Sequence, residues 1–206
     1  IVLLLLSFTV GAVAAQDESE DPRLEIVATT TQAYDVATIL ADGVEGIQIT
    51  PLMGAGVDPH LYQPTESDIA AMSSADMLIY SGLHLEGQFD TVFNALNEQG
   101  VASLALGQAV KNAGFIFGGF DLSEELTNVD DPHFWFDPRN WELSTQTLAE
   151  ELAELDPDNE DIYLANAEAN MSQLQTVFEW ANGIKCFSHC RQMSGCWSEN
   201  ECHVVG

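Results

Sequence analysis

The feature that most constrains the fold is a regular alternation, from Leu24 onward, of short apolar runs with stretches of helical spacing. "LEIVATT", "IQITPLM", "DMLIYSG" and "VASLAL" have the length of buried strands, and a helical stretch follows each of the first three. Strands that alternate with helices pair in parallel and are covered on both faces. The segment therefore predicts an α/β fold: a parallel four-stranded sheet flanked by helices. Val36, Ile39 and Leu40 share one side of the first helix. Thr65 and Asp68 form a capping-box start for a short second helix through Met72, and Phe89, Val92, Phe93 and Leu96 mark the third. Residues 107–130, rich in Gly, Asn and Asp, predict a long loop.

Beyond that loop, Asp137-Pro138 and Asp156-Pro157 each have the form of an N-cap followed by proline at the first helical position. The first opens a helix whose buried side carries Trp141, Leu148, Leu152 and Leu155. The second opens a helix over 158–185, in which Leu164, Ala167, Met171, Leu174, Phe178 and Ala181 step alternately by three and four. At 1.5 Å per residue this helix runs roughly 40 Å, more than the depth of one small α/β lobe. It is expected to pack along the lobe and continue past it.

The two ends differ from the middle. "IVLLLLSFTVGAVAA", residues 1–15, is apolar and closes on small residues, as the hydrophobic part and cleavage site of a secretory signal do. It is too short for a membrane span, and it is expected to be the incomplete remainder of such a signal. An acidic linker, 16–23, follows, and the protein is expected to be exported. Acidic residues outnumber basic ones 33 to 5, a net charge of −28 that repels phosphate backbones and anionic headgroups, so nucleic-acid binding is not expected. Such a charge suits a solvating coat. The only cysteines, Cys186, Cys190, Cys196 and Cys202, lie in residues 186–206. This tail could hold a small zinc site or two disulfides, or derive from a shifted reading frame; the abrupt change in composition favours the last.

Five histidines are present, and two stand apart. His60 in "DPHLYQP" and His133 in "DPHFWFDP" each follow an Asp-Pro step, whose fixed φ stiffens the approach. Each precedes a helix start, where a loop should reach the carboxyl edge of the sheet and where open α/β sheets place ligands. Neutral imidazole suits Zn, Mn or Fe, and two from separate loops make half a tetrahedral site. On that reading their ring nitrogens should converge to roughly 3–5 Å. The pattern alone leaves metal binding and ordinary loop histidines both open. Asp58 and Asp131 are either turn residues or acceptors for a ligand imidazole N–H, and Asp137 is a helix cap. His84, in "SGLHLEG", ends a strand and lines the cleft; Phe134, Trp135 and Phe136 belong to core and cleft wall.

"LMGAGVDPHLYQPTESDI", "ADMLIYSGLHLEG" and "DPHFWFDPRNW", in this order, resemble the zinc/manganese solute-binding proteins of bacterial ABC importers, the TroA-like group, over Leu24 to Ile184. The resemblance implies an N-terminal α/β metal-binding lobe (24–157), a backbone helix (158–185), a second lobe and a metal held between the lobes. His60 and His133 fall on the family's two N-lobe metal histidines, whereas the histidine of the segment matching His84 is not a ligand. Zn(II) or Mn(II) would be the transported ligand and an ABC permease in the membrane the partner. The protein would be a monomeric receptor, not an enzyme, in the periplasm or at the outer face of the cytoplasmic membrane. The tail departs from the family pattern, so the second lobe with the third and fourth ligands is expected to be missing; His189 and His203 lie near where a third ligand belongs. Two alternatives are a metal-dependent hydrolase using His60, His133 and a carboxylate around an open water position, and an adhesin-type interaction protein. The first lacks a His-Glu-x-x-His helix.

Overall fold

Strands β1 (Leu24–Ala28), β2 (Ile47–Pro51), β3 (Met77–Tyr80) and β4 (Ala102–Ala105) form one sheet in the computed structural model. The structure describes residues 22–115, 118 and 127–192, without the side chains of 184–192. The strand order is β2-β1-β3-β4 and every neighbouring pair is parallel, with Ile26 opposite both Ile49 and Met77. From β1 the chain moves outward to β2, then crosses to β3 and β4, so the order reverses between β1 and β3. That reversal opens a crevice at the carboxyl ends of the two central strands.

Alternate residues of a strand face opposite sides, and the two cores follow that rule. Ile26, Ala28, Met77 and Ile79 join one core with α1 (Thr31–Leu40), α4 (Leu106–Asn112), α5 (Pro138–Leu155) and α6 (Glu160–Gln192). Val27 and Leu78 join the other with α2 (Glu66–Ser74) and α3 (Asp90–Gln99). The parallel α/β sandwich is the one expected.

Four expectations need correction. The stretch expected as loop from residue 107 begins with α4, whose Leu106 and Val110 are buried one turn apart. Seven residues are too few to show a helical period. In α1, Ile39 is 36% exposed while Ala33 and Ala37 join Val36 and Leu40 inside. In α5, Leu155 is 36% exposed, and the buried side instead includes Ser144, Thr145 and Ala149 beside Leu148 and Leu152. In α6, Leu164 is exposed and Tyr163 takes its place, fully buried; Ala167 then resumes the expected seam.

Asp156 explains that change of phase. Its carboxylate makes no cap to the 3-10 turn Pro157–Asn159 that precedes α6. It accepts the Tyr163 hydroxyl (2.8 Å), the Asn159 amide (2.9 Å) and two Arg23 guanidinium N–H groups (2.6 and 2.8 Å). The junction between α5 and α6 is thereby tied to the start of β1. From there α6 runs about 50 Å. Its burial fades along the way, complete at Tyr163 and Ala167 and partial at Met171, Leu174, Phe178 and Ala181.

Residues 1–21, the tail from 193, including Cys196, Cys202 and His203, and the side chains of Cys186, His189 and Cys190 lie outside the described residues. No helix among those described is long and apolar enough to cross a membrane.

Candidate metal centre

His60 lies on the loop between β2 and α2, and His133 on the loop that leads into α5. Both are set by the same local device. Asp58 Oδ1 accepts the His60 backbone N–H (2.9 Å), and Asp131 Oδ1 accepts that of His133 (3.0 Å). Each aspartate thus closes a turn onto the residue two places on, and the intervening proline has no N–H to compete and a fixed φ. The repeated Asp-Pro-His is a turn that presents an imidazole. In the second copy, Asp131 Oδ1 also lies 2.7 Å from His133 Nδ1. These bonds, the backbone N–H of His133 first, hold the Asp131 carboxyl below the usual carboxylate range.

The two rings meet. Nε2 of His60 and Nε2 of His133 are 3.4 Å apart, with ring centroids at 5.5 Å and planes tilted by 54°. Two nitrogens bound at 2.0–2.1 Å to one tetrahedral metal would be separated by roughly 3.3 Å, so the pair already stands at that spacing. With a proton on Nδ1 of His133 directed at Asp131, the lone pair of its Nε2 faces His60.

The pair borders a cleft of about 360 Å³ whose wall includes Thr30 after β1, Met53 after β2 and Leu85 after β3. The site therefore occupies the carboxyl edge beside the crevice between β1 and β3. The cleft is open, and the His133 side chain is 42% exposed. Among the described residues no third histidine, cysteine or carboxylate completes a metal-binding group with the pair.

The neighbouring aromatics separate, because a 3-10 turn over Phe134–Phe136 points successive side chains about a third of a turn apart. Phe134 enters the core and Trp135 lines the cleft with its ring edge-on to His133 at 5.2 Å. Phe136, expected in core or wall, is 79% exposed and stacks towards His133 at 6.4 Å. Asp137 caps α5 as expected, accepting the Arg139 N–H at 3.0 Å.

His84 stands apart from the pair. Its Nδ1 is 3.0 Å from Asp90 Oδ2, and it borders a neighbouring cleft of about 320 Å³.

Sequence reasoning passed over Glu86. This carboxylate is 1% exposed and accepts the Thr29 hydroxyl and the backbone N–H groups of Ser81 and Gly82. Burial pushes its carboxyl up from the usual range, against those three bonds. The available signal was slight: an acidic residue in the turn after β3, beyond Ser81, Gly82 and His84.

The family model described as "ZnuA: Zinc-uptake complex component A periplasmic" matches residues 26–185. The manganese-binding lipoprotein MntA of Bacillus subtilis (strain 168) is 33% identical over 164 residues, 80% of this chain and 51% of that protein. The zinc-binding protein TroA of Treponema pallidum (strain Nichols) is 30% identical over 177 residues, 84% of this chain and 53% of that protein. The solved structure of periplasmic zinc binding protein TroA from Treponema pallidum superposes with a TM-score of 0.65 at 30% identity, covering 76% of this chain and 53% of that one. A solved structure of FpvC from Pseudomonas aeruginosa in complex with Mn2+ also superposes at 0.65; at 22% identity it supports the fold alone. The chain spans about half the length of the curated relatives it matches.

Proposed function

This chain belongs to the ZnuA family of periplasmic zinc-uptake components, and on that premise we propose that it is the metal-capturing lobe of an exported solute-binding protein. Its cargo is a divalent transition metal, Zn(II) or Mn(II), passed on to an ABC permease in the membrane. Capture is reversible coordination, and no substrate is turned over. Residues 1–15 are the export signal, 16–23 an acidic linker, 24–157 the binding lobe, 158–185 the backbone helix and 186–206 a tail of separate character. The receptor acts as a monomer outside the cytoplasm.

The observation that carries this reading is the 3.4 Å separation of the two Nε2 atoms, reached by residues 73 positions apart. Asp131 supports it by orienting one of them. His60 and His133 supply two imidazole ligands, and water completes the coordination from the open side. Metal competes with protons for these nitrogens, so affinity falls on acidification.

Calorimetric titration with Zn(II) and Mn(II) tests the reading. The tail thiolates are competing ligands, so all four cysteines are first replaced by serine. Binding that disappears in His60→Ala and in His133→Ala is the expected result. Binding that survives both substitutions would place the metal elsewhere.

A further inference from the structure

After β3 the backbone passes through three successive left-handed residues: Gly82 (φ 77°), Leu83 (φ 55°) and His84 (φ 63°). Residues with side chains rarely adopt this region, and two in a row need an external hold. Glu86 supplies one. Its Oε1 accepts the Ser81 N–H at 2.8 Å and its Oε2 accepts the Gly82 N–H at 3.0 Å. Successive amides beside left-handed backbone form a concave anion site, and the chain's own carboxylate fills it.

The turn is also seated from below. A Cβ at Gly82 would stand 2.9 Å from the Ala105 Cβ, and one at Gly107 would stand 2.7 Å from Leu83 Cδ1. The Gly107 N–H donates to the Ser81 carbonyl at 2.9 Å. On its other side Glu86 Oε1 accepts the Thr29 hydroxyl at 2.8 Å, which brings in the end of β1. The next residue, Thr30, accepts the Ala33 N–H that caps α1 and lies 3.2 Å from the Ser81 hydroxyl. Thr29, Thr30, Ser81 and Glu86 are all at most 2% exposed. Thr30 and Leu85, the neighbours of Thr29 and Glu86, line the histidine cleft.

We propose that Glu86 is a positioning residue for the metal cleft: its carboxylate locks the ends of β1 and β3 together and so fixes the wall that Thr30 and Leu85 present to the histidine pair. This rests on the reading of His60 and His133 as ligands. The role calls for a carboxylate, because all three partners are donors; an amide of the same shape would turn an N–H2 group towards one of them.

The test uses the full chain with the four tail cysteines changed to serine, and Co(II) as a spectroscopic stand-in for Zn(II). Glu86→Gln is expected to keep the parent's helical circular dichroism. It should shift the Co(II) d–d absorption and weaken Zn(II) binding about tenfold, as outer partners of metal sites do. A purely structural role would lower Tm and leave the spectrum and affinity of the folded protein unchanged; that outcome overturns the proposal. Should Glu86→Gln fail to fold, Thr29→Val removes one donor and keeps the carboxylate. A shifted Co(II) spectrum there supports the proposal, and an unchanged one overturns it. A parent without any histidine-dependent Co(II) signal would instead overturn the ligand reading, and this proposal with it.

Discussion

Asp131 does two things with one oxygen, closing the turn before His133 and facing the ring's Nδ1. Asp131→Asn keeps the shape but offers a weaker acceptor or a donor, so the ring loses its preferred tautomer. We expect Zn(II) affinity to fall about 10- to 100-fold in calorimetry, with the fold intact because the site is at the surface. The direction of the pH effect follows from the depressed carboxyl. A carboxylate below its usual value contributes above the ordinary pKa, about 3.9, and loses its effect only as pH falls through the still lower folded value. Asp131 therefore stays ionised into acid, and its protonation should not set the pH at which a Zn(II)-release titration of the parent shows metal loss. At this scale the two histidines were legible because Asp-Pro-His repeats and each copy is a self-contained turn. Glu86 was not, because its partners Thr29, Ser81 and Gly82 come from two strand ends that only the sheet brings together. Phe136 was misjudged because the short 3-10 turn has no sequence period to give it away.

Helix starts are local and were read correctly where the cap is made by neighbours. Thr65 and Asp68 exchange side-chain and backbone bonds across the first turn of α2. Thr65→Ala should cost about 1 kcal/mol in denaturant unfolding. Asp156-Pro157 shows the limit of that logic, since the same pair of residues serves a long-range tie to Arg23, 133 positions away, and to Tyr163. Nothing in the local sequence distinguishes it from Asp137-Pro138. The Arg23 guanidinium first, then Asn159 and Tyr163, holds the Asp156 carboxyl below its usual range. Asp156→Asn should destabilise by about 2 kcal/mol at neutral pH, the scale of hydrogen bonds to a buried charge. The folded-state value is lowered, so this stability is present above the ordinary pKa and vanishes as pH falls through the depressed one. Parent and variant melting curves should therefore converge towards the acid end; a difference that stays constant on acidification would assign the effect to packing. The strands were visible as short apolar runs and α5 because its length shows a period, whereas α4 is held by two buried apolar side chains, Leu106 and Val110, and left no pattern.

On the scale of the whole molecule, two features are left only half-covered. The carboxyl edge of the sheet carries the histidine pair in an open cleft, and α6 leaves the lobe with its seam only half-covered. The alternation of three and four along α6 was legible; how far the lobe covers it depends on the depth of the sheet, which no local period encodes. Two imidazoles with water in the remaining positions bind weakly and exchange quickly, since a closed site uses four protein ligands. The net charge of −28 draws cations to this surface without fixing them, an effect that salt screens. The cysteine-free chain should therefore bind Zn(II) with rapid exchange, weaken further as sodium chloride is raised, and lose the metal on acidification. Relatives of which this chain matches only about half offer the complementary half. Fusing the C-terminal half of the Treponema pallidum protein after α6 would tether additional ligands at high effective concentration. The expected gain in affinity is about 10²- to 10⁴-fold, read by competition with a metal chelator. The gain should vanish in His60→Ala, because the tethered lobe can tighten only a site that the pair has begun. A fusion that binds no better than the single lobe would mean that the pair is not half of a two-lobe metal site.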